Sequence, residues 1–141
     1  MARDAAAHLP WRPDYAHAAL IVFLAEVAIA LWVRDAFVRP YLGDVLAVIL
    51  VYLMLRAVTT WRVIPAALAA LSVGLAVEIG QAINLLDILG LSNHAVARVV
   101  FGTAFSVGDI FCYAAGAALA VAAEYARAWS ADRSRVNDAS H

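Results

Sequence analysis

Four long apolar runs dominate the chain, near Ala16–Val33, Tyr41–Thr59, Val63–Leu86 and Val107–Trp129, and short stretches containing Arg, Asp, Pro or Gly separate them. A membrane-crossing helix needs roughly 17–25 residues, because about 30 Å of hydrocarbon must be spanned at about 1.5 Å per residue. All four runs meet that length, so the pattern predicts an all-α integral membrane bundle of four transmembrane helices. The second run carries Asp44 and Arg56 near its ends, where a long arginine side chain reaches the interface. The first follows two arginines, as a signal peptide would. It is too long for a signal core, contains Glu26 and ends in LWVRD rather than a small-residue cleavage site, which predicts an uncleaved span. Residues 1–129 therefore read as one four-helix transmembrane domain, and 130–141 as a polar, disordered C-terminal tail.

Between the third and fourth runs, residues 87–106 form a connection long enough to carry structure of its own. Within it, LSNHAVARVVFG offers Ser92 or Asn93 as an N-cap and Gly102 as a stop, so a short extra helix or re-entrant piece is predicted. A re-entrant backbone is tolerated only where protein or water shields its polar groups. The sequence leaves an interfacial and a re-entrant placement equally open.

Composition agrees with the hydropathy pattern. Hydrophobic residues make up 65% of the chain, against roughly 45–50% in soluble domains, and the mean hydropathy is +0.82. All the basic residues are arginines, scattered singly, and the net charge is −1. That distribution gives no footprint for nucleic acid. The one cysteine, Cys112, excludes an intrachain disulfide. No metal-ligand spacing, phosphate-binding loop or nucleophile motif stands out, so no cofactor and no enzymatic reaction is predicted.

Arginine placement sets the orientation, since cytoplasmic loops carry the excess of positive charge. Arg3, Arg12, Arg56, Arg62, Arg127, Arg133 and Arg135 fall on the side of the termini, and Arg34, Arg39 and Arg98 on the other. Both termini are thus expected in the cytoplasm. Trp11, Tyr15, Trp61 and Trp129 would form the inner aromatic belt, with Trp32 and Tyr41 in the outer one.

The costliest side chains for such a protein are Glu78 and Gln81 in VGLAVEIGQAINLL. At i and i+3 they share a helix face, which Asn84 continues one turn further along. Counted back from Leu86, Glu78 is buried about 12 Å along the helix axis. A charged residue near the bilayer centre costs at least ~2.5–3.5 kcal/mol on insertion scales and marks a functional site by default. Hydrogen bonding of the protonated acid to a neighbouring helix is the structural alternative. Asp109, three residues after Ser106, fits a capping box, and Asp44 stands near the start of the second span, where the helix dipole favours an acid. Under the predicted topology Asp44, Glu78, Gln81, Arg98 and Asp109 lie in the outer half of the bilayer with Arg34 and Arg39. Those seven residues predict an outward-facing polar pocket, with an arginine opposite Glu78.

Three strings carry a resemblance: RDAFVRPYLGDVLAVILVYLMLRA, AVEIGQAINLLDILGL and ARVVFGTAFSVGDIFCYAAGAAL. Together they resemble the bacterial family 2809 of domains of unknown function, over about residues 16 to 122. That resemblance implies a multi-pass protein of the bacterial plasma membrane without an assigned activity. More distantly, E-x-x-Q on one helix and F-x-x-x-D with a later Gly on the next are similar to VanZ-like proteins, which are linked to glycopeptide resistance. On that likeness Glu78, Gln81, Phe105, Asp109 and Gly116 fall on motif positions. Tyr113 stands where those proteins usually have Asn, and Thr103 where an Arg is expected. The VanZ-like likeness implies a membrane lipid or an amphipathic envelope ligand as partner. A small proton-coupled transporter using Glu26, and an accessory subunit without its own activity, stay open as alternatives.

Overall fold

The computed structural model describes residues 11–35, 38–101 and 106–138. They form helices α1 (Pro13–Trp32), α2 (Val38–Val58), α3 (Val63–Ala82), α4 (Leu85–Ile88), α5 (Ala95–Phe101) and α6 (Val107–Asp138). α1, α2, α3 and α6 are long and apolar enough to cross a membrane, in agreement with the four predicted spans. Pro13 and Pro40 fall in first turns, where a missing N–H costs no helical bond.

α2 is the hub, packed against α1, α3 and α6, and α3 also packs on α6. Each of the three helices around the core turns one stripe inward at three- or four-residue spacing. On α2 it is Asp44, Val48, Tyr52 and Arg56; on α3 it is Ala66, Ala70, Gly74 and Glu78; on α6 it is Asp109, Tyr113, Ala117 and Ala120. Residues three or four apart lie one above the next on a helix face, so each stripe is a continuous ridge. The middle of these ridges is apolar and mostly small, with Val48, Ala66, Ala70, Ala117 and Ala120 buried. Without a hydrophobic drive between helices in lipid, such small residues let backbones approach and gain dispersion contacts. The closest approach is at Gly116, where a Cβ would stand 2.5 Å from the Val45 carbonyl oxygen of α2.

The third span ends earlier than its apolar run. Asn84 adopts a left-handed conformation (φ 52°) and breaks the helix after Ala82, so it does not continue the face of Glu78. Asparagine tolerates this region because its side chain can bond locally. Two short helices, α4 and α5, then rest on α3. The predicted extra helix is therefore present as α5, although its first bond is accepted by the His94 carbonyl rather than being set by Ser92 or Asn93. Gly102 lies outside the described residues.

The fourth helix runs past Trp129 to Asp138, through much of the stretch predicted as a disordered tail. No Gly or Pro follows Gly116, and Ala and Arg favour the helix over this interval. The Ser130 and Ser134 hydroxyls donate back to the carbonyls of Ala126 and Ser130, which keeps these polar side chains within the helical geometry.

Candidate functional site

The ridges place polar groups at both ends of the apolar seam. At the end where α2 begins and α3 ends, Glu78 is 1% exposed. Its Oε1 accepts from the Tyr113 hydroxyl at 3.2 Å, and its Oε2 from the Ser106 backbone N–H at 3.2 Å. Gly74 makes the first of these bonds possible. A Cβ there would meet the Tyr113 ring at 3.0 Å, so the ring lies flat on α3 and its hydroxyl reaches the carboxyl one turn further along.

Ser106 opens α6 by accepting from the Gly108 N–H at 3.2 Å through its own hydroxyl. In a capping box the acid three residues on would return a bond to the cap residue's N–H. Here Glu78 of α3 takes that N–H, and the Asp109 carboxyl is freed to face α2. There it meets Asp44, which interacts through its side chain with Asp109 and with Tyr113 and also feels the charge of Glu78. The box predicted from Ser106 and Asp109 is thus half formed. α2 begins at Val38, so Asp44 stands beyond its first turn and faces its partners across the bundle rather than capping its own helix.

Three carboxyl groups, Asp44, Glu78 and Asp109, therefore gather around Tyr113. Gln81 follows on the next turn of α3, half-buried. The arginines go elsewhere. Arg34 and Arg39 are exposed at the α1–α2 connection, and Arg98 is exposed on α5. Among the described residues no arginine pairs with Glu78, Asp44 or Asp109, so the arginine expected opposite Glu78 is replaced by a tyrosine hydroxyl and a backbone N–H. Among the same residues no three His, Cys, Asp or Glu side chains are arranged to hold a metal ion.

The opposite end holds a second cluster that the sequence pattern did not bring out. Glu124 of α6 accepts from Tyr52 at 3.0 Å and from Arg127 at 3.1 Å, and lies 3.7 Å from Arg56 Nε. Arg56 and Arg127 both donate to the Tyr15 oxygen, at 2.7 and 2.6 Å. Arg56 also donates to the Trp61 carbonyl, and the guanidinium of Arg12 lies 4.3 Å from the Tyr15 ring centroid. These bonds tie the start of α1 to the end of α2 and to the stretch of α6 from Glu124 to Arg127. The legible signal was the four-residue spacing Asp44, Val48, Tyr52, Arg56 together with the Glu124–Arg127 pair at i, i+3.

A family model described as "Protein of unknown function (DUF2809)" matches residues 33–117. The chain belongs to this family. The DUF2809 match runs from just after α1 through the first third of α6 and contains Asp44, Glu78, Asp109 and Tyr113, while Tyr15, Glu124 and Arg127 lie outside it. No curated protein and no solved structure matches the chain. Phe105, a motif position on the VanZ-like likeness, and Thr103, where that likeness expects an Arg, lie outside the described residues.

Proposed function

We propose that this DUF2809 protein is a binding protein of the bacterial plasma membrane, with both termini cytoplasmic, whose outer-end carboxyl cluster takes the cationic headgroup of an amphipathic envelope molecule. The observation that supports this most directly is the gathering of Asp44, Glu78 and Asp109 without a paired arginine. Like charges in a low-dielectric setting repel, and an ammonium group relieves that repulsion while its three N–H donors match carboxylate acceptors. An anionic headgroup, which Arg34, Arg39 and Arg98 at the pocket would have suited, meets only acids here.

In nanodiscs, dodecylamine is expected to raise the unfolding temperature of the intact protein, and dodecyl phosphate is not. Glu78→Gln should abolish the shift while the protein still folds. Equal shifts with both amphiphiles, or an unchanged shift in the variant, would overturn the proposal.

A second reading, proton-coupled export, draws on Glu26 of α1, whose Oε1 is buried without a hydrogen-bond partner. It predicts efflux of a cationic dye driven by a pH gradient across vesicles, lost in Glu26→Gln. Efflux that is absent from the wild type removes this reading.

A further inference from the structure

The end of the bundle where α1 begins and α6 ends carries a cavity of about 520 Å³, lined by Arg56, Arg62, Val63, Ile64, Pro65 and Tyr125. Its size lies in the usual range of small-ligand sites, roughly 300–1,000 Å³. A neighbouring cavity of about 510 Å³ shares Arg62 and Pro65, so the Arg62 side chain stands between the two.

Three features of the first cavity point to one kind of occupant. Arg62 is exposed and, among the described residues, makes no ion pair or hydrogen bond through its guanidinium. Arg62 is also the N-cap of α3 and places no side-chain bond on the helix. The first-turn N–H groups of Val63 and Ile64 have no intrahelical acceptor, and the dipole of a twenty-residue helix adds positive potential at the same place. Arg56, 8% exposed, forms the inner wall. Its Nε makes no hydrogen bond and holds Glu124 only at ion-pair distance. The free guanidinium of Arg62, the partly engaged one of Arg56 and a helix N-terminus thus border a space whose other walls are Val63, Ile64, Pro65 and Tyr125.

We propose that this cavity binds the phosphate headgroup of an anionic phospholipid from the leaflet on that side, with its acyl chains lying along α3. Arg62 would hold the phosphate with its forked donors, which match phosphate oxygens in pairs. The Val63 and Ile64 N–H groups would cap a third oxygen, as helix N-termini do for anions. Trp61 and Tyr125, both exposed at this level, mark the interfacial depth at which a headgroup sits. This site is independent of the outer carboxyl cluster and takes the opposite charge.

The test is lipid titration of the whole purified protein, read by native mass spectrometry and by unfolding temperature in neutral detergent. Phosphatidylglycerol is expected to bind and to raise the unfolding temperature, and phosphatidylcholine to do neither. Arg62→Gln should weaken phosphatidylglycerol binding by about tenfold or more, the loss of one strong charge-assisted contact. Arg133→Gln, which removes an equal charge from α6 on the same side, should leave binding unchanged. Equal loss in the two variants would reduce the effect to general surface charge and overturn the proposal. Stabilisation by inorganic phosphate to the same extent as by the lipid would overturn the lipid assignment.

Discussion

Glu78 takes both of its hydrogen bonds from elements other than its own helix, the Tyr113 side chain and the Ser106 backbone. Removing the tyrosine hydroxyl leaves a buried carboxyl oxygen without a donor, which costs about 1–3 kcal/mol. Tyr113→Phe is therefore expected to lower stability by that amount in detergent-titrated unfolding, with the helical content retained. Glu78→Gln keeps both the shape and an acceptor oxygen, so its loss should be smaller than that of Glu78→Ala, which also opens a cavity. Glu78 itself was legible as a buried acid, because nothing else in its segment resembles it. Its partners were not, since Tyr113 is an ordinary membrane aromatic until Gly74 is seen to receive its ring. The arginine expected beside it followed from shared depth alone, and depth does not say which way a loop side chain turns.

At the scale of the helix, packing rests on where a side chain is missing. Gly116→Ala would push a methyl group against the Val45 carbonyl at 2.5 Å. Backbone cannot give way as a flexible side chain does, so overpacking is expected to cost about 1–3 kcal/mol. Gly43→Ala is the matched control: nothing lies within 4 Å of the added Cβ. That exchange is expected to stabilise α2 by up to about 1 kcal/mol through helix propensity. Unfolding curves of the two variants should separate them in sign. The spans were legible because every long run of apolar residues is one of these helices. Their inward faces were harder to see, since lipid-facing and buried positions are equally apolar and only the few polar residues mark the ridges. Ends were misjudged where hydropathy continues but the backbone turns, at Asn84, and where it falls but propensity continues, after Trp129.

Across the whole molecule the two polar clusters are held apart by an alanine-rich seam. Asp109 and Glu124, on one helix, stand about 22 Å apart at 1.5 Å per residue. The acids at one end have no paired arginine among the described residues, whereas Glu124 at the other is shared between Arg56 and Arg127. Removing Glu124 leaves the buried Arg56 its bonds to Tyr15 and Trp61 but no counter-charge, and breaking a buried ion pair in this way costs up to about 3–5 kcal/mol. Arg127 is 59% exposed in its side chain, so Arg127→Ala should cost no more than about 1 kcal/mol. Comparing Glu124→Ala with Arg127→Ala by chemical unfolding checks the difference. A near-equal pair of values would mean that Arg127, not Arg56, carries the network.

The two donors to Glu78 also bear on the order in which the protein is made. Both come from residues 106 and 113, while Glu78 itself belongs to a helix that is synthesised earlier. As α3 leaves the insertion machinery, its buried acid has neither partner, and an unmatched acid in hydrocarbon costs ~2.5–3.5 kcal/mol on insertion scales. The third helix is thus a provisional resident of the bilayer until the last one arrives. Chains cut off shortly before Ser106 should accordingly be degraded faster in the cell than chains cut off after α6, and Glu78→Leu should protect the shorter ones.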